Sequence, residues 1–311
     1  MHMRKGGNDM TNEAIYKVIN ERILERLEEA RQNGTRFKWV KGWTGFITGN
    51  AISGKAYRGI NALFLDGLYI TYKQLCEFQG KHPETEFKIP KGTKQHTVYF
   101  FKFSEIEETV DTPNGTEVVK KRIPLLRFYK VFSVNDITNL PSYFLPVKYE
   151  HDITEEMLKA NKIINDYCKR TGLTFEILEG SDRCYYSPKQ HKVCVPPISA
   201  FTSVYEAYSA YLHELVHSTA KALEREIGKA FGSEEYSFEE LVAEIGSQML
   251  LAVLDLEEPE CFDNSLAYIQ GWERAIKNSG KHFISSAACK AQKAVDFILD
   301  QMYEKETEEV A

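Results

Sequence analysis

Two histidines four residues apart, His213 and His217, bracket Glu214, Leu215 and Val216 in an HExxH pattern. On an α-helix, positions i and i+4 project from one face, so the two imidazoles converge on a single point. Nitrogens so placed suit Zn2+, which takes them at ~2.0–2.1 Å, wants a third protein ligand in a catalytic site and keeps one position for water. Glu214, beside the first histidine, is within reach of that water as a general base, and the metal lowers the water's pKa towards ~7. The chemistry implied is metal-assisted hydrolysis: Zn2+ polarises a scissile carbonyl while Glu214 takes a proton from water and passes it to the leaving amine. The flanks Tyr208, Tyr211, Leu212, Leu215 and Val216 are apolar or aromatic. They predict a buried helix, where two unpartnered histidines would be costly.

A second apolar segment, FEELVAEIGSQML, begins about twenty residues on and carries Glu239, Glu240 and Glu244. Glu240 and Glu244 share a helical face, so one can complete the metal shell while the other orients a histidine from behind it. We take Glu240 as the metal ligand and Glu244 as the orienting carboxylate, with Glu239 or Glu244 as the alternative ligand. A purely structural zinc is usually closed by four protein ligands, commonly including Cys. The six cysteines here form no CxxC pair, and a retained Glu214 points to catalysis instead. Tyr236 or Tyr211 could hold an oxyanion. His82, His96, His151, His191 and His282 lack partner spacing and read as ordinary surface or loop residues.

A second chemistry is suggested near the N-terminus. Residues 36–61 interleave Arg36, Lys38, Lys41, Lys55 and Arg58 with Phe37, Trp39, Trp43, Phe46 and Tyr57. Single-stranded DNA binding needs cations along the phosphates and flat rings for the bases; stacking contributes ~1–3 kcal/mol per base and tolerates any sequence. Arg58 and Asn61, beside Gly59, either join that surface or brace the loop backbone, and Trp39 and Trp43 either stack on bases or plug the core. Lys73 and Gln74 on the next helix could face the same groove. Residues 1–148 hold 23 Lys and Arg against 16 Asp and Glu, and the remainder 16 against 29, so the net charge of −6 conceals a basic half joined to an acidic one. A polyanion is the partner such a basic half fits.

These residues need elements to place them. At 311 residues and 43% hydrophobic the chain can bury a sizeable core, and two domains is the expectation. Helical spacing of Ile15, Val18, Ile19, Ile23, Leu24 and Leu27 predicts a helix over 13–32, stopped by Asn33-Gly34. A short helix or turn is expected near 62–68, and Thr71 offers an N-cap for a second helix. TVYFFKF reads as a buried strand, residues 105–122, with a turn at Pro113-Asn114-Gly115, as an exposed hairpin or insertion, and LLRFYKVFSV as another strand. Beyond Pro141 and Pro146, a helix from Thr154, short strands FEILEG and KVCVPP, one long helix over 203–227, a helix over 237–254 and two more over 267–276 and 285–302 are expected. The fold class is α+β: a tail over 1–12, a small mixed α/β nucleic-acid-binding domain over 13–140, a linker over 141–152, and a mostly helical domain over 153–305. No apolar run spans a bilayer and the first residues lack an apolar signal core, so a cytoplasmic location without membrane attachment is expected.

Taken together, the two halves resemble the plasmid antirestriction proteins of the ArdC type. The second half carries that family's pattern as HELVHSTA, Phe231-Gly232-Ser233, Tyr236 and Glu239 to Glu244. The first half carries Trp39 and Trp43, GKAYRGIN over 54–61, Tyr72-Lys73-Gln74, Lys91-Gly92 and Val131-Phe132-Ser133-Val134-Asn135-Asp136-Ile137. The resemblance runs from about Ile15 to Leu299. It departs where the family has Trp-Thr-Gly and this chain has Ser218-Thr219-Ala220, and where an Arg-Leu-Asn-Arg segment becomes Ala222-Leu223-Glu224-Arg225. It implies an N-terminal single-stranded-DNA-binding domain, a zincin-like metallopeptidase domain holding one zinc, and antirestriction on behalf of a mobile element. The alternative it leaves is a zinc endopeptidase acting on a host protein, with the N-domain as a tether.

Overall fold

The computed structural model describes residues 11–34, 37–39, 48–112, 115–144, 153–227, 233–256 and 265–300. The first helix, α1 (Asn12–Asn33), starts where the Thr11 hydroxyl accepts from the Ala14 N–H, and ends at Gly34, whose φ of +64° suits a residue without a Cβ. Its stripe of Ile15, Ile19, Ile23 and Leu27 is wholly buried. Each such side chain contributes ~1.5–3 kcal/mol relative to exposure, so this face fixes the helix in place. The Asn12 side chain donates to the Pro124 carbonyl and accepts from the Leu126 N–H, tying α1 to a strand.

A four-stranded sheet comes next, ordered β1-β2-β4-β3, from β1 (Gly49–Asn50), β2 (Leu68–Ile70), β3 (His96–Thr112) and β4 (Gly115–Ser133). Between β1 and β2 lies a 3₁₀ turn, Gly59–Leu63; after β2, α2 (Tyr72–Lys81) opens on a capping box of Thr71 and Gln74. β3 and β4 pair antiparallel from His96↔Val131 out to Thr112↔Gly115, one long hairpin. TVYFFKF therefore differs from the expected buried strand. Val98 and Tyr99 are buried, but Phe100, Phe101 and Phe103 are 39%, 51% and 43% exposed, although Leu126, across from Phe101, is still buried.

The second half has α3 (Ile153–Thr171) and a three-stranded sheet, β5-β7-β6, from β5 (Thr174–Ile177), β6 (Tyr185–Ser187) and β7 (Lys192–Val195). Then come α4 (Val204–Ser218), α5 (Glu234–Leu254), α6 (Ser265–Asn278) and α7 (Phe283–Ile298). The long helix expected over 203–227 stops at Ser218. There the Ser218 and Thr219 hydroxyls bond back to the Leu215 and Val216 carbonyls, and the chain turns through Glu224, at φ +53°. α4 and α5 approach closely: a Cβ on Gly246 would stand 2.9 Å from a Val216 methyl.

One hydrophobic core runs through both halves, from Ile15 to Ile298. Trp39 packs edge-on against Trp272 and Phe37, and the Tyr16 ring against His282. Arg58 ion-pairs with Asp296, and the Gly59 N–H donates to Gln292. A smaller cluster gathers Ile70, Leu75, Phe87, Phe132 and Ile137 beside it. The five cysteines among the described residues are free thiols.

Candidate metal centre

Ser203 caps α4 by accepting from the Glu206 N–H, and Ser233 caps α5 by accepting from the Tyr236 N–H. The two helices so positioned carry the site. His213 and His217 bring their Nε2 atoms to 3.1 Å from each other. From α5, Glu240 reaches both, with oxygens 3.4 Å from His213 Nε2 and 3.6 Å from His217 Nε2. One ligand atom from each of these three residues lies within 4.8 Å of the others. The Glu240 carboxylate also accepts a hydrogen bond from Tyr236.

Behind the histidines stand the other carboxylates. Glu239 Oε1 is 3.2 Å from His217 Nδ1, and Glu244 Oε2 is 3.7 Å from His213 Nδ1. A carboxylate facing Nδ1 places the proton there and leaves the Nε2 lone pair free. Both lone pairs then point at one spot, an arrangement that repels itself unless a cation fills the gap. Two nitrogens bound tetrahedrally to Zn2+ at ~2.0–2.1 Å lie ~3.3 Å apart, close to the spacing seen. Without a metal a proton takes the cation's place: burial on its own would push the His213 pKa down, but Glu240, Glu244 and Glu214 outweigh it and raise it to about 10. The pocket thus demands positive charge, and the donor set fits a divalent metal.

Glu239 is buried, and burial would raise its pKa, yet His217 and Arg225 draw it below the usual carboxylate range. Arg225 holds both Glu239 oxygens, at 2.9 and 3.0 Å, and adds bonds to the Thr219 hydroxyl and the Val216 carbonyl. This brace has no signature in the spacing: Arg225 lies in the segment that departs from the family pattern, past the end of α4. Glu214 is half-buried, and among the described residues its carboxylate makes no hydrogen bond or ion pair. It is close enough to Cys184 to raise that thiol's pKa. Tyr211 has its hydroxyl committed to the Pro196 carbonyl inside the core, which removes it from any oxyanion role.

The residues singled out for DNA divide differently. Arg36, Lys41 and Trp43 lie outside the described residues. Lys38, Lys55 and Lys73 are exposed, Lys73 with a loose 3.8 Å pairing to Glu77. Trp39 is 1% exposed between Phe37 and Trp272, so its ring plugs the core and is out of a base's reach. Tyr57 is buried with its hydroxyl near the Asn50 amide, and Asn61 pairs through both side-chain atoms with the Tyr99 backbone at 2.7 Å. Arg58 is engaged with Asp296. Of the two roles open to Arg58 and Asn61, bracing is the one their surroundings match. Accessible rings occur instead on β3, at Phe100, Phe101 and Phe103, with Lys102 exposed among them.

A helix presenting HExxH, with a carboxylate from the next helix facing it, defines a zincin-like metallopeptidase domain, and residues 163–290 match the family model of that description. Residues 13–132 match the N-terminal domain of anti-restriction factor ArdC, so the chain carries an ArdC-type N-terminal domain followed by a zincin-like domain. Among solved structures it is similar to antirestriction protein ArdC from the R388 plasmid. The metal-free form has a TM-score of 0.64 and 29% identity, over 92% of this chain and 97% of that one. The Mn(II)-bound form has a TM-score of 0.63 and 28% identity, with the same coverage. Among curated proteins it is 30% identical to a DNA primase TraC of Escherichia coli, over 92% of this chain and 27% of the primase. It is 28% identical to the uncharacterized protein y4eC of Sinorhizobium fredii, over 95% of each. The chain thus spans about a quarter of the length of that TraC relative. No helix among the described residues is long and apolar enough to cross a membrane.

Proposed function

We propose that this chain is an antirestriction protein of a mobile genetic element that binds single-stranded DNA through its N-terminal half and carries a zinc-dependent peptidase centre. The observation that carries the proposal is the convergence of His213, His217 and Glu240 with Glu214 beside them. A divalent metal there supplies Lewis acidity, polarising a carbonyl and acidifying water. Glu214 takes the proton from the attacking water and returns it to the leaving amine, a role suited to a carboxylate without a partner among the described residues. Glu239 and Glu244 hold the two rings in the orientation that leaves both Nε2 atoms facing inward. Tyr236 steadies Glu240.

For the DNA half, support comes from the basic balance of residues 1–148, the exposed Lys38, Lys55 and Lys73, and the exposed rings of β3. We place the stacking surface on Phe101 and Phe103, which share one face of β3 with their rings in reach of solvent, while Lys102 projects to the other face. The second reading, a peptidase acting on a host protein with the N-domain as a tether, draws on Glu214, which makes no hydrogen bond or ion pair among the described residues.

The test is binding of single-stranded and duplex DNA across a salt series, for wild type and Glu214→Gln, with bound zinc quantified. Single-strand preference with a steep salt slope, unchanged in Glu214→Gln, is expected. Protection against restriction that survives Glu214→Gln assigns antirestriction to DNA binding; protection that collapses assigns it to proteolysis. No binding at low salt overturns the DNA half.

A further inference from the structure

The metal centre is tied to the N-terminal half by two hydrogen bonds and a carboxylate–imidazole contact that the proposed catalysis does not use. The Trp39 backbone N–H donates to Gln248 Oε1 at 2.7 Å. Gln248 Nε2 donates to Glu244 Oε1 at 2.8 Å. The other oxygen of Glu244 faces His213 Nδ1 at 3.7 Å. Gln248 is buried, one helical turn after Glu244 on the same face of α5.

The chemistry of this link is directional. A buried backbone N–H needs an acceptor, and a carboxylate needs donors. With its oxygen turned to Trp39, the Gln248 amide necessarily turns its NH2 towards Glu244. Rotating the amide by 180° would set donor against donor at one end and oxygen against carboxylate at the other. The Trp39 ring is held edge-on between Phe37 and Trp272, so its N–H has a fixed place from which to set the amide. Glu, Met or Leu at 248 cannot serve both ends.

We propose that Gln248 is a positioning residue through which the backbone of the N-terminal half at Trp39 sets the seat of Glu244, and with it the ring orientation of His213. The proposal rests on His213 being a metal ligand. It goes beyond that reading by making the metal site depend on the half of the molecule that carries no ligand. Coupling of this kind is reciprocal: what Trp39 does for the metal, the metal does for the Trp39 N–H.

The test uses the full chain and zinc alone. Hydrogen exchange in the segment containing Trp39 is measured with and without zinc, and zinc affinity is measured by chelator competition. The proteins are wild type, Gln248→Met and Leu250→Val, the last removing a methylene from the core on the same helix. Zinc is expected to slow exchange of the Trp39 amide in wild type. In Gln248→Met that slowing is lost, and affinity falls by about tenfold, the low end of losses for groups that orient metal ligands. Leu250→Val should lower the thermal midpoint while keeping both properties, which separates positioning from general loosening. The proposal is overturned if zinc binds wild type yet leaves Trp39 exchange unchanged, a measurement that needs no variant to fold. It is also overturned if a folded Gln248→Met keeps wild-type affinity. Failure of wild type to bind zinc at all overturns the metal reading itself, a different result from either.

Discussion

Arg225 commits its guanidinium to both oxygens of Glu239, to Thr219 and to the last turn of α4 through the Val216 carbonyl, and its side chain is 2% exposed. Removing such a partner leaves a buried carboxylate uncompensated, which costs ~3–5 kcal/mol. Arg225→Met is therefore expected to lower urea-unfolding stability by about that amount, and to weaken zinc binding as His217 loses its fixed carboxylate. A loss below about 0.5 kcal/mol would place the variant with ordinary surface changes and dismiss the brace. The cysteines supply a second residue-scale prediction. Cys76 and Cys289 are exposed, whereas burial, and then the Glu214 charge, push the Cys184 thiol up to about 11. Only the thiolate is alkylated, and a raised pKa keeps it scarce until the pH approaches that value. Iodoacetamide mapped by mass spectrometry at pH 8 should label Cys76 and Cys289 well before Cys184. Equal labelling would mean that neither burial nor Glu214 governs the Cys184 thiol. The histidine pair was legible in the sequence because i and i+4 are neighbours on any α-helix. Arg225 was not, since nothing local connects it to a glutamate fourteen residues on.

Among the elements, α4 and α5 matter most because between them they hold His213, His217 and Glu240. Gly246 permits their approach, and an added methyl would press on Val216 at 2.9 Å. Gly246→Ala should thus part the helices, costing ~1–3 kcal/mol by overpacking and lowering zinc affinity. The double variant with Val216→Ala, which reopens the space, should recover much of the stability in thermal melts; no recovery would place the strain elsewhere. The helix expected to continue past Ser218 illustrates how local periodicity misleads. Leu223 and Ile227 keep the helical spacing, but Arg225 turns back onto the Val216 carbonyl and Glu239, and the tertiary bonds outweigh the local preference. TVYFFKF misled for the opposite reason. A run of aromatics reads as buried, yet Phe101 and Phe103 stay 51% and 43% exposed, although Leu126 across from Phe101 is buried: what covers a ring is not written in the run itself.

At the scale of the whole molecule, one core passes through both halves, and the GKAYRGIN segment docks on α7 through Arg58, Gly59, Asp296 and Gln292. Such sharing predicts a single cooperative unfolding transition. Far-UV circular dichroism and tryptophan fluorescence should give coincident thermal midpoints, and calorimetry one peak; two separated transitions would show that the halves fold independently. The sequence by itself determined the features that spacing on one element dictates: the paired histidines, Glu214 beside them, the buried stripe of α1 and the Thr71 cap. Tertiary structure alone decided how three nearby glutamates divide their partners. Glu239, Glu240 and Glu244 all lie within about one and a half turns of helix, and the rotation of α5 against α4 at the Gly246–Val216 contact sets which oxygen meets which nitrogen. It decided equally that Trp39 is core and Phe101 surface, though both are aromatic residues beside lysines. Spacing fixes directions on a single element; what stands opposite depends on residues more than two hundred positions away, and that is a property of packing.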